Sequence, residues 1–249
     1  MQKGSRIAIS KRLMMNCAMV PKCRTFADIG CDHAYSSIYL AISGVAEKCI
    51  AMDVVEGPLA RAKENIAKYG LEDKIEVRQS DGLLQLAEKE AEVIMISGMG
   101  GPLMLDILKC GIHRVREAKA LILQPQSELE IFREGLKELS LSLSDEDMCC
   151  EDGKYYTAMY VENGVKQEET GQEIKVSQQI AAKYGLCLIK KRHPVLAEYI
   201  DREIEKKKQI EEKLSKQETA RGIKRLLALR IELAELAKLQ KFLKSADDR

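Results

Sequence analysis

No two of the eight cysteines stand in a Cys-x-x-Cys pair; they are Cys17, Cys23, Cys31, Cys49, Cys110, Cys149, Cys150 and Cys187. That absence removes the usual signature of a zinc ribbon or a dithiol redox centre. Histidine is scarce too. His33, His113 and His193 are the three present, and no metal-ligand spacing links them, so no metal site is expected. No run approaches the ~18 apolar residues of a membrane span. The basic N-terminus has no long apolar stretch behind it, so no secretory leader is expected. Unpaired thiols without a leader point to a reducing cytoplasm.

What is present suffices for a folded core: 45% of the residues are apolar. At about 150 residues per domain, 249 residues make one to two domains. The net charge is only +1, but it is unevenly spread. Residues 1–27 carry six basic residues (Lys3, Arg6, Lys11, Arg12, Lys22, Arg24) and no acid. Residues 28–165 carry 14 basic and 25 acidic residues, and residues 166–249 carry 20 and 14. Basic ends around an acidic middle fit a polyanionic partner; solvated helix faces would give the same counts.

Along the chain, Ile7–Val20 reads as a helix ended by Pro21. Short apolar runs at 25–29, 48–52, 75–77, 93–96 and 120–123 read as strands alternating with helices, the pattern of a parallel doubly wound sheet. Gly70 is placed to cap the helix that Pro58 helps to start. Leu141–Met148 and Tyr155–Val161 read as a closing hairpin around Glu151-Asp152-Gly153-Lys154. The expected fold is an α/β, Rossmann-like class I methyltransferase sheet of seven strands with the last antiparallel. It spans residues 1–164. Residues 165–249 are expected to form a helical coiled-coil arm. Residues 165–194 are polar and mixed. Leu196, Ile200, Ile204, Ile210 and Leu214 mark one helix, and Leu226, Leu229, Leu233, Leu236 and Leu243 an a/d seam on a second. A break near 215–222 makes them a hairpin.

Candidate chemistry lies at the carboxyl ends of the strands, where such sheets bind ligands. The first loop reads Asp28-Ile29-Gly30-Cys31-Asp32-His33-Ala34-Tyr35, with Asp32 and Ala34 where a dinucleotide loop has its later glycines. An acid at Asp32 repels a pyrophosphate and tolerates the cationic groups of S-adenosylmethionine, which argues against a NAD-binding oxidoreductase. Asp53, after the second strand, is placed for ribose hydroxyls or as a helix cap. Ser80-Asp81-Gly82 suits the adenine amino group, or is a plain turn. Ser97-Gly98-Met99-Gly100-Gly101-Pro102 reads as backbone lying against a flat ligand, and Gln124-Pro125-Gln126 offers amides at the same edge.

Together these motifs resemble the bacterial tRNA (adenine-22-N1)-methyltransferases. The matching pieces are Arg12-Leu13, Asp28 to Tyr35, Asp53-Val54 with Gly57-Pro58-Leu59, Ser80-Asp81-Gly82-Leu83, Gly98-Met99-Gly100-Gly101 and Leu123-Gln124-Pro125. The resemblance implies that Asp28, Gly30, Asp53, Asp81 and Gly98 line the pocket of S-adenosyl-L-methionine, with Val54 and Gly82 beside them. It implies that Asp32, His33, Tyr35 and Met99 face the methyl group or the target base; His33 and Met99 are counted with the cofactor and Asp32 as the catalytic group. tRNA is then the expected partner, met by Arg12, Tyr35, Gly100, Gly101, Gln124, Lys191 and Arg192. Three further readings stay open at this point: a methyltransferase acting on another RNA or a small molecule, a NAD-binding oxidoreductase, which Asp32 and Ala34 oppose, and a non-enzymatic interaction protein built on the arm.

Overall fold

A computed structural model describes residues 7–163, 176–216 and 219–245. The chain divides into two compact units, residues 1–170 and 171–249. The expected boundary at 164/165 falls outside the described residues, as do Lys3 and Arg6.

The first helix, α1 (Lys11–Ala18), is shorter than the sequence pattern predicts. Ser10 sets its start: its backbone is extended and its hydroxyl accepts the Leu13 N–H at 3.2 Å, so residues 7–10 stay outside the helix although Ile7 is buried. The chain continues through β1 (Cys23–Ile29), α2 (Tyr35–Ile42), β2 (Ala46–Asp53), α3 (Glu56–Lys68) and β3 (Ile75–Gln79). No helix joins β3 to β4 (Val93–Met99), a departure from strict alternation; turns between them bury Leu83 and Leu86. Next come α4 (Gly101–Cys110), α5 (Ile112–Glu117), β5 (Ala120–Pro125), α6 (Leu129–Glu138), β6 (Leu143–Glu151) and β7 (Lys154–Glu162).

These seven strands form one sheet in the order β3-β2-β1-β4-β5-β7-β6. The first five are parallel, and β7 runs antiparallel to both of its neighbours. Asp152 and Gly153, both left-handed at φ 49° and 73°, close the β6–β7 hairpin in two residues, a turn whose twist matches that of the strands. Side chains alternate across the sheet. Cys49, Ala51, Val93, Met95, Ala120 and Ile122 face α2 and α3 residues such as Ile38, Leu59 and Ile66. Ile50, Met52, Ile94, Ile96, Leu121 and Leu123 face Met104, Leu108, Phe132 and Leu136. Both faces are therefore dry, which is why the central strands read as unbroken apolar runs. Each fully buried large side chain contributes about 1.5–3 kcal/mol.

The second unit is helical: α7 (Gln178–Tyr184), α8 (Leu186–Lys190), α9 (Pro194–Ser215) and α10 (Ala220–Lys244). Two short helices thus occupy part of the stretch that looked merely polar. Ion pairs fix α9 and α10 as antiparallel: Asp201 with Lys244 at 2.7 Å, Lys207 with Glu232 at 2.9 Å, and Glu211 with Arg230 at 2.7 Å. Leu196, Ile200, Ile204 and Leu214 are buried on α9, and Leu229, Leu236, Leu239 and Leu243 on α10. Ile210 is 40% exposed instead of joining the seam, and Leu239 takes a buried place that the heptad count passed over. Among the described residues no helix is long and apolar enough to cross a membrane.

Candidate active site

The strand order reverses between β1 and β4, and an open α/β sheet forms its crevice beyond the strand ends at such a point. Glycine stands at both ends. Gly30 and Gly98 are left-handed, at φ 72° and 82°. A side chain on Gly30 has no room, because its Cβ would lie 2.2 Å from Cε of Met99. The next two irregular positions, Asp32 (φ 49°) and Ala34 (φ 58°), are left-handed as well. The loop keeps the turns of a glycine-rich loop without its glycines, at about 1–2 kcal/mol per residue. Ala34 is fully buried, and its N–H donates to the Cys31 carbonyl at 2.8 Å.

The cleft has a volume of about 370 Å³. It brings together Arg12, Asp28, Gly30, Asp32, His33, Tyr35, Asp53, Gly98 and Met99. Asp53, at the end of β2, accepts the N–H groups of Asp32 at 3.3 Å and Val55 at 3.0 Å, so it also shapes the entry to α3. Asp32 lies at the rim with its side chain 69% exposed, and its carboxylate is 3.5 Å from Nε2 of His33. His33 stacks on Tyr35 with ring centroids 5.7 Å apart. Asp28 is buried and accepts the Ser37 hydroxyl at 3.0 Å. Burial outweighs that bond and pushes the Asp28 carboxyl up to about 7, with the nearby charge of Asp53 acting in the same direction. Burial likewise holds the Cys31 thiol far above its ordinary range, so it is no nucleophile at neutral pH. Arg12 comes from α1; it donates to Oε1 of Gln124 at 2.9 Å and its guanidinium lies 5.7 Å from the ring centroid of Tyr156. Among the described residues no group of three or more His, Cys, Asp or Glu side chains is placed to hold a metal ion.

A family model described as tRNA (adenine(22)-N(1))-methyltransferase matches residues 26–236. The chain belongs to that family. A tRNA (adenine(22)-N(1))-methyltransferase of Bacillus subtilis (strain 168) is 38% identical over 160 residues, 64% of this chain and 67% of that protein. The crystal structure of the B. subtilis m1A22 tRNA methyltransferase superposes with a TM-score of 0.76 at 31% identity, covering 94% of this chain and all (100%) of that one. Streptococcus pneumoniae Sp1610 in complex with S-adenosyl-L-methionine superposes with a TM-score of 0.77 at 30% identity, with the same coverage of 94% and 100%. The oxidoreductase and interaction-protein readings fall away with this family assignment.

Several residues singled out in the sequence of this methyltransferase do not line the cleft. Val54 and Asp81 are exposed just past β2 and β3, and the carbonyl of Val54 accepts Nε2 of Gln79 at 3.1 Å. Gly82 (φ 54°) packs on Ile107. Gly100 precedes α4 beside Ser127. Gly101 is a packing glycine, since a Cβ on it would lie 2.7 Å from the Ser127 carbonyl oxygen. Gln124 is buried and holds Arg12, while its own Nε2 donates to the Pro125 carbonyl at 3.2 Å. Lys191 and Arg192 belong to the helical unit, where Arg192 donates to the Ser245 carbonyl and lies 4.7 Å from the Phe242 ring centroid. The cleft adds Leu13, Cys31, Ser36, Ser97 and Gln126. All but Gln126 sit next in sequence to a residue already singled out. Gln126 lies in the Gln124-Pro125-Gln126 run, where it was not separated from its neighbour.

Proposed function

We propose that this chain methylates N1 of adenine 22 in tRNA, with S-adenosyl-L-methionine as the methyl donor, and that the reaction takes place in the cleft at the β1–β4 switch point. The observation that carries the reading is the family match over residues 26–236, which holds every residue lining this cleft except Arg12 and Leu13. The residues present fit the cofactor. Three carboxylates, Asp28, Asp32 and Asp53, line a cleft in which Gly30 and Gly98 keep the backbone bare. Asp53 would hold the ribose hydroxyls, and Asp28 a cationic group of the cofactor.

When bound, S-adenosylmethionine supplies an electrophilic methyl group. N1 of adenine carries a free lone pair, so in-line placement matters more than a strong base. A paired or stacked adenine covers N1, so the base must leave its stack to enter the cleft. Tyr35, 38% exposed, and Met99, which covers Gly30, are the surfaces that would hold it. Asp32 at the rim stabilises positive charge as it develops on the ring, or takes a proton from the exocyclic amine. We assign catalysis to residues 1–164 and tRNA binding to the basic helix α1 and to the arm, residues 165–249. We place the protein in the cytoplasm; its eight cysteines are all unpaired, as a reducing compartment keeps them. Incubation with tRNA and labelled cofactor, followed by nuclease digestion and mass spectrometry, tests the reading. It expects labelled 1-methyladenosine at position 22. Label elsewhere, or none, sinks it.

A further inference from the structure

Gln126 follows β5 and lines the cleft with Arg12, Gly98 and Met99. Its backbone is fixed, since its N–H donates to the Met99 carbonyl at 2.8 Å. Its side-chain amide comes over Gly98: Nε2 lies 3.6 Å from where a Cβ on Gly98 would be, and Nη1 of Arg12 lies 3.4 Å from the same point. A Cβ there would be in ordinary contact with both groups, so it is the left-handed backbone, φ 82°, that favours glycine at that position. Their states differ. Arg12 is engaged by Gln124, and Gln124 spends its amide on Arg12 and on the Pro125 carbonyl. The amide of Gln126 has no hydrogen-bond partner among the described residues, and the residue is exposed.

We propose that Gln126 selects the target base, by pairing its amide with N6–H and N7 of adenine. The inference rests on the function proposed above. N1 must stay clear to attack the methyl group, so recognition has to use an edge that leaves N1 free. On the N6/N7 edge adenine shows one donor and one acceptor, which a glutamine amide matches with its oxygen and its NH2 group; guanine shows two acceptors there, which suit arginine or lysine. Gln126 therefore accepts from N6–H and donates to N7, and the same pair of groups set against guanine brings its carbonyl oxygen against O6.

The test compares two tRNAs, one with adenine and one with 7-deazaadenine at the methylated position; the second has C–H in place of N7. The parent enzyme is expected to lose about tenfold to a hundredfold in kcat/KM on the deaza tRNA. Gln126→Ala is expected to lose a similar factor on the adenine tRNA and to treat the two tRNAs alike. Its affinity for S-adenosylmethionine, measured by calorimetry, stays at the parent value and reports that the variant is folded. Equal parent rates on the two tRNAs, or an unaltered preference in Gln126→Ala, overturn the assignment of Gln126 alone. No methylation of the adenine tRNA by the parent overturns the proposed function, and this inference with it.

Discussion

A carboxyl group held near neutrality, as Asp28 is at about 7, makes ligand binding depend on protons. The free protein carries a proton on Asp28 that the unfolded chain, with an ordinary carboxylate, has lost. Stability contributed by that proton is full at acid pH and drains away as the pH rises to about 7. Cofactor binding has the opposite sign. A cation beside Asp28 favours the ionised form, so a proton is released on binding and affinity grows as the pH rises. Between about pH 6 and about pH 7.5 the affinity for S-adenosylmethionine should increase severalfold, and Asp28→Asn, which keeps an acceptor for the Ser37 hydroxyl, should flatten the profile. Calorimetry across that range decides it; an equally steep profile in the variant assigns the proton to another group.

Three helices of the first unit end by one device. After α2, the Val45 N–H reaches back to the Leu40 carbonyl at 3.1 Å, with Gly44 at φ 69°. After α3, Leu71 reaches Ile66 at 3.2 Å, with Gly70 at φ 64°. After α6, Leu141 reaches Leu136 at 2.9 Å, but the left-handed residue is Ser140, at φ 58°. This is the Schellman ending, in which glycine meets no Cβ penalty. Ser140 is exposed, so its side chain adds little packing. Ser140→Gly is expected to stabilise the protein by about 0.5–1 kcal/mol, read as a higher denaturation midpoint at an unchanged slope. A lower midpoint would mean that the serine hydroxyl contributes more than the backbone strain costs.

At the scale of the whole molecule the question is what the uneven charge does. Much of the basic character of the arm is internal to it. Lys207 and Lys183 both meet Glu232, at 2.9 and 2.7 Å, and Arg192 is engaged at the end of α10. Arg192→Ala is therefore a poor probe of RNA binding, because it also loosens the packing on Phe242. Lys208, Lys224 and Arg225 are exposed and have no ion pair among the described residues. If the arm tracks the tRNA backbone, affinity falls steeply with salt, and replacing these three residues by alanine should lower the log–log slope by about 0.7–0.9 for each lost phosphate contact. Cofactor affinity should not change. A variant that binds tRNA with the parent's slope would leave these charges a role in solubility only.

What the sequence by itself determined is what neighbouring residues can enforce on one another. The runs at 93–96 and 120–123 read as buried strands because their apolar residues are continuous, and both are dry on each face. Gly70 after α3 and Asp152-Gly153 between β6 and β7 were legible because steric limits on φ act within a few residues. The same locality made Asp28, Asp32, Asp53 and Gly98 candidates, since each stands at or just after a strand end. Residues 112 positions apart, such as Arg12 and Gln124, meet only once α1 has packed beside the sheet, and no periodicity encodes that pairing. The distinction among glycines is tertiary as well: Gly98 is favoured by its left-handed backbone and has room for a Cβ, whereas Gly101 makes room for the backbone at Ser127. Gln126 and Gln124 are equal in sequence, and only the packing of β5 leaves one buried on Arg12 and the other at the cleft. The order of strands and the burial that raises Asp28 are of this second kind, because they follow from which surfaces exclude water together rather than from the preference of any one segment.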